Sequence, residues 1–136
     1  TELAEMIVTF VQDIPYSFIY DDELCANRPD KSEPCSGGNR FGLLTPVEFL
    51  YTLSGDCDTR AVLLYLILKK LNYDVSIVVS FEYLHAMIAI NLPYSGDFIT
   101  QGGKKYYFWE TTNIGWAPGV LPPNCNNIDY WDIALN

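Results

Sequence analysis

The stretch from Gly55 to Leu71, GDCDTRAVLLYLILKKL, constrains this chain more than any other. From Ala61 to Leu68 every side chain is apolar, and neither Gly nor Pro interrupts the segment before Leu71. A buried strand can be apolar for that long, but the uninterrupted length favours a helix. A helix apolar nearly all round is a buried one. This one falls short of the ~20 apolar residues needed to span a bilayer. Its ends are marked as well. Gly55 allows a tight turn and Asp56 is a good N-cap; Lys69 and Lys70 suit the negative end of the helix dipole, and Asn72 suits a left-handed C-cap. The rest of the chain is expected to wrap around this central helix.

Cys57 then falls in the first turn of the helix. The dipole and the unpaired N–H groups there favour a thiolate, the nucleophilic form of the side chain. The alternative is a small buried hydrophobe, the common fate of a free Cys. A nucleophilic Cys needs a base to take its proton and a group to orient that base. The chain has one histidine, His85, and its ordinary pKa suits general base and then general acid work near neutral pH. The orienting group should be a carboxylate or amide on a neighbouring strand, and Glu110 is placed to serve if the register allows. A structural His bonded to a carbonyl and a solvent-facing Glu are the plain alternatives.

Order along the chain supports an α+β fold. Glu2 to Asp13 has helical spacing and ends before Pro15, and Pro46 to about Leu53 forms a second helix capped by Thr45. Asp22 to Arg40 reads as a long polar loop, Pro93 to Gly103 as a turn-rich connection, and Asn113 to Asn127 as a loop. Val75 to Phe81, His85 to Leu92 and Lys104 to Thr112 read as strands, with Tyr130 to Leu135 as a short last one. Helices first and consecutive strands after predict a buried central helix packed on an antiparallel sheet. At 136 residues, 49% of them apolar, residues 1–136 make one domain with a real core, either alone or within a longer protein.

Charge and cysteine usage narrow the partners. Seventeen acidic against eight basic residues give a net charge of −9, which argues against nucleic acid or an anionic membrane surface. No transmembrane segment is present, so no membrane insertion is expected of this chain. Four cysteines at 25, 35, 57 and 125 show no CxxC spacing, and with a single His a zinc site is not expected. Cys25 and Cys35 flank a loop rich in Pro, Gly and Ser. A disulfide between them would staple that loop and favour a periplasmic or extracellular compartment; free thiols are the alternative, and spacing does not choose between them.

Taken together these residues resemble the transglutaminase-like branch of the papain-fold cysteine enzymes, in particular bacterial transglutaminase-like domains. Gly55-Asp56-Cys57-Asp58 with Ala61 and the Leu-rich helix resembles the nucleophile segment of that family. Asn72-Tyr73-Asp74-Val75 stands where the family has Gly-Tyr or Gly-Phe before a strand. His85-Ala86 followed by alternating hydrophobics resembles its histidine strand, and Tyr106 to Thr112 the strand that carries the third catalytic residue. Phe10 to Tyr16 and Pro46 to Leu50 also resemble segments that precede the nucleophile. The resemblance runs from about Phe10 to Gly119, and departs from the family in having Glu110 where Asp is usual and a longer stretch around Pro93–Lys105.

What the resemblance implies is a papain-like, transglutaminase-like core with a Cys57–His85–Glu110 triad acting on a peptide or protein amide through a thioester, with no metal and no cofactor. Hydrolysis (a peptidase or amidase) and acyl transfer to an amine both remain open. The Cys57 N–H supplies one oxyanion donor and Gln12 is the candidate for another. Trp109 and Trp116, with Tyr106 and Tyr107, are candidates for a substrate groove, although aromatics more often serve packing. Two other readings stand beside this one: a non-catalytic binding or scaffolding module with the same fold, and a redox thiol at Cys57 with Cys125 as its resolving partner. Oligomeric state is not legible.

Overall fold

The computed structural model describes residues 1–136. Helix α1 spans Glu2–Gln12 and buries Ala4, Val8 and Val11 along one stripe, while Leu3, Met6 and Phe10 face outward. Helix α3, Pro46–Thr52, opens on a full capping box in which Thr45 and Glu48 satisfy each other's backbone N–H groups. It leads directly into α4, Cys57–Lys70, whose N-cap Asp56 accepts from Thr59 N at 3.1 Å. Asn72 follows α4 in the left-handed region, with φ 65°, as expected of the residue just past a helix end.

Five strands form one antiparallel sheet in the order β5-β6-β4-β3-β7, with β3 at Val75–Ser80, β4 at His85–Ile90, β5 at Phe98–Gln101, β6 at Lys104–Trp109 and β7 at Asp132–Leu135. Helix α4 lies across β3 and β4, so the fold is α+β with the central helix on an antiparallel sheet. Two cores follow from the alternation of strand side chains. Ile77, Ala86, Ile88, Ile90 and Trp109 face α1, α3 and α4. Val78, Met87, Ala89, Tyr106 and Phe108 face the other way and are covered by Leu121, Cys125 and Trp131 from the C-terminal segment.

Three local expectations are revised. The polar stretch after Asp22 is not all loop: α2, Asp22–Asn27, is capped by Asp21, and a two-stranded parallel ribbon pairs β1, Phe18–Ile19, with β2, Cys35–Ser36. A disulfide joins Cys25 of α2 to Cys35 of β2 across a Cα separation of 5.8 Å. The turn-rich Pro93–Gly103 connection contains strand β5, which forms a hairpin with β6 through Gly102 and Gly103, both at positive φ. Finally, α4 is not buried all round. Its Thr59–Ala61, Leu63, Leu64 and Leu68 are enclosed, whereas Leu66 stays exposed, as does Leu71 just past its end. No helix is long and apolar enough to cross a membrane.

Candidate active site

Cys57 is the first residue of α4 and is half-buried. What brings it to the sheet is the tight packing around Gly55. Gly55 does not adopt a positive φ; it is required by space, because a Cβ there would meet the Phe49 ring at 2.8 Å. The chain therefore enters α4 pressed against α3, and Asp56 is buried with its second oxygen accepting from Ile19 N at 3.3 Å. Burial, only partly offset by the bonds from Thr59, raises the Asp56 pKa above the usual carboxylate value.

Arg60 locks this entry. It is fully buried one turn into α4 and has no carboxylate partner. Its guanidinium instead donates to the carbonyls of Val11, Ile14, Pro15, Gly55 and Thr111. The end of α1, the turn into α4 and the segment after β6 are thus tied to one side chain. Burial lowers its pKa from the usual guanidinium value, and electrostatic interactions with the acidic groups around it, Tyr16, Asp56, Cys57 and Glu110, oppose that shift.

His85 and Glu110 are brought together by strand register. Strand β4 pairs β6 with Ile88 opposite Trp109. Carried past the end of β6, that register sets His85 and Glu110 one diagonal step apart on the same face. His85 Nε2 lies 2.8 Å from Glu110 Oε2. The other carboxylate oxygen accepts from Thr111 N at 2.8 Å, Thr112 N at 3.0 Å and Thr112 Oγ1 at 2.8 Å. Glu110 is therefore buried but fully satisfied. Its burial favours the neutral acid, yet the His85 hydrogen bond and charge, with the Thr112 bonds, win and lower its pKa.

His85 and Cys57 line one cavity. Burial disfavours a charged imidazole, but the hydrogen bonds to Cys57 and Glu110 and their charges outweigh it and push the His85 pKa up to about 10. The sulfur of Cys57 additionally sits 3.8 Å from Asp58 Oδ1, a long contact to an exposed carboxylate. Trp131 stands against the His85 ring at 6.0 Å, edge to face. One imidazole thus bonds a held carboxylate and shares a cavity with the Cys57 thiol.

Two cavities meet at Cys57. One of ≈ 380 Å³ is lined by Tyr16, Phe18, Tyr20, Phe41 and Leu24 with Asp56 and Asp58. The other, of ≈ 280 Å³, lies on the His85 side between Val79, Phe81 and Leu84. A third, polar cavity of ≈ 240 Å³ opens on the far side of His85, against Glu110, Asn124 and Cys125.

Several expected residues stand elsewhere. Gln12 is buried, but its amide nitrogen donates to Glu110 O at 2.8 Å and Trp116 O at 2.9 Å. Both of its N–H groups are spent on holding the backbone behind Glu110, so it does not offer a donor to an oxyanion. Trp109 is a core residue whose Nε1 donates to Trp116 O at 3.0 Å, and neither tryptophan lines the two cavities that reach Cys57. The alternation of β6 explains this, since Trp109 falls on the helix-facing side. Tyr106 and Tyr107 also lie outside those cavities. The aromatic wall comes instead from Tyr16, Phe18 and Tyr20, whose alternate residues share one face of β1 and its flanks. Cys125 is buried under the opposite face of the sheet, and burial raises its pKa to about 11, which suits an inert thiol better than a resolving one.

No protein-family model, curated protein or solved structure matches the chain.

Proposed function

We propose that this protein is a cysteine-dependent enzyme of amide-bond chemistry, with a transglutaminase-like, papain-like core and the triad Cys57–His85–Glu110. The single observation that carries the reading is the His85 ring, bonded to the Glu110 carboxylate and lining one cavity with Cys57, which opens helix α4 at its positive end.

The chemistry follows from the geometry. His85 takes the Cys57 proton, and the thiolate attacks the carbonyl carbon of an amide. A C–S bond forms while the carbonyl π pair moves to oxygen. Collapse expels the amine, which takes its proton from His85, and leaves a thioester. Water, or a second amine, then gives a proton to His85 and attacks the thioester, releasing the acyl product and restoring Cys57. Glu110 fixes the ring and stabilises its charged form without taking the proton. Leaving-group protonation must occur beside His85, so the cleft at Val79, Phe81 and Leu84 suits the amine, and the aromatic cavity at Tyr16 suits the acyl side. The substrate class is a peptide or protein amide, and the Cys25–Cys35 disulfide favours an oxidising compartment, periplasmic or extracellular.

Cys57→Ala and His85→Ala test the assignment. Each is expected to abolish cleavage or transfer on a peptide-amide library while circular dichroism keeps the folded signature. Turnover retained by either variant would remove the mechanism.

A further inference from the structure

Acyl transfer at Cys57 builds negative charge on the substrate carbonyl oxygen, and the Cys57 backbone N–H, one of the unpaired donors of the first helical turn, supplies a single hydrogen bond to it. A second donor is needed, and Gln12 is committed to two carbonyls. We propose that the Tyr16 hydroxyl is that second donor, which makes Tyr16 a catalytic residue. The inference rests on the thiol chemistry proposed above and adds to it.

Position comes first. Tyr16 forms a parallel bridge with Gly55, and Ser17 N donates to Gly55 O at 3.2 Å, so the Tyr16 backbone is fastened to the turn that delivers Cys57. Its ring is fixed from two sides: the Arg60 guanidinium lies 5.7 Å from its centroid and the Phe18 ring stands edge-on at 5.3 Å. Tyr16 lines the same ≈ 380 Å³ cavity as Asp56 and Cys57. Its hydroxyl, unlike those of Tyr83, Tyr94 and Tyr106, makes no hydrogen bond within the chain. Burial, then the charges of Cys57 and Asp56, push its pKa upward, which keeps the group an O–H donor at any working pH.

Other donors around the cavity are less suited. Asn39 spends its amide on Ser36 O and Gly37 O. Arg40 is exposed and lies over the Phe41 ring. Tyr20 shares the wall but lies beyond Phe18 from Tyr16 and is not tied to the nucleophile turn.

The test separates oxyanion stabilisation from thiolate formation. p-Nitrophenyl acetate acylates a thiolate: the C–S bond forms, the carbonyl electrons move to oxygen, and collapse breaks the ester C–O bond to release p-nitrophenolate. Iodoacetamide alkylates the same thiolate by displacing iodide and builds no oxyanion. Tyr16→Phe keeps the ring and removes only the hydroxyl. Burst kinetics in this variant should show acylation slower by roughly 10²-fold, while alkylation of Cys57 proceeds at the wild-type rate and the urea midpoint is unchanged. Tyr51→Phe, at an exposed position outside the cavity, should leave both reactions as they are. Acylation of Tyr16→Phe at the wild-type rate overturns the proposal. So does a parallel fall in acylation and alkylation, which would assign Tyr16 to the thiolate or the fold. If the wild type alkylates no faster than a free thiol, the underlying thiol reading fails and the proposal fails with it; fast alkylation with an indifferent Tyr16→Phe removes the proposal alone.

Discussion

Arg60 carries the sharpest consequence for stability. Replacing it by Met keeps a long, unbranched side chain and removes every donor. Two of the five carbonyls it serves keep another partner: Val11 O accepts from Ile14 N, and Gly55 O from Ser17 N. Pro15 O is only partly buried and can turn to water. Ile14 O and Thr111 O are left buried without a donor. At about 1–3 kcal/mol for each orphaned buried acceptor, the loss is roughly 2–6 kcal/mol. The guanidinium also lies over Tyr16 at 5.7 Å and Phe49 at 5.9 Å, contacts whose loss acts in the same direction. Relief of the desolvated charge acts in the other. Against a total stability of about 5–15 kcal/mol for a domain, the net effect should be plain. Urea unfolding followed by tryptophan fluorescence should move to a midpoint lower by on the order of 2 M at unchanged slope. Arg60→Lys, with a charge but fewer donors, should fall between the two. A stability for Arg60→Met within about 0.5 kcal/mol of wild type, the range of an ordinary surface change, would refute the reasoning.

The remaining predictions concern the triad and the turn that positions it. The folded chain holds the His85 proton to about pH 10, whereas an unfolded chain releases it near 6.5; the contribution of that pair is therefore complete below about pH 6.5 and is lost as pH rises toward 10. Cys57 and Glu110 together raise the His85 pKa, and Glu110→Gln removes the second contribution, so the difference in unfolding free energy between wild type and variant should shrink across that window; a difference that grows with pH would contradict the assignment. Gly55→Ala places a methyl 2.8 Å from the Phe49 ring and should cost about 1–3 kcal/mol. Its acylation rate should fall too, because α4 and Cys57 are displaced together; an unchanged midpoint would show that Phe49 gives way.

Much of this arrangement was legible in the sequence because it is local. The Asp56 cap, the apolar run of α4, the Thr45 cap, the β-branched apolar run of β3 and the alternation of β4 are encoded within a few residues. The His85–Glu110 contact was expected only conditionally, since register is a property of two strands and not of either alone. Helix α2 was missed because it buries no residue of its own and is held by Asp21 and the Cys25–Cys35 link. Strand β5 did leave a signal: Gly102-Gly103 between the short runs Phe98–Gln101 and Lys104–Trp109 is a hairpin turn as well as a loop. Gln12 and Trp109 were misassigned for one reason. Their side chains look free for function in one dimension and are consumed by backbone carbonyls in three. Arg60 left no such signal, because a charge at the start of a helix is as readily exposed as buried, and its partners are carbonyls distant in sequence.

The central claim is that Cys57 is a nucleophile activated by His85. Its most direct test is the pH dependence of iodoacetamide alkylation of each cysteine, resolved by peptide mass spectrometry, in wild type and in His85→Ala. The account predicts that Cys57 reacts rapidly well below pH 8, that Cys125 stays inert, and that the low-pH reactivity of Cys57 disappears without His85. A Cys57 that behaves as an ordinary or buried thiol in both proteins would contradict the account and favour a binding module built on the same fold.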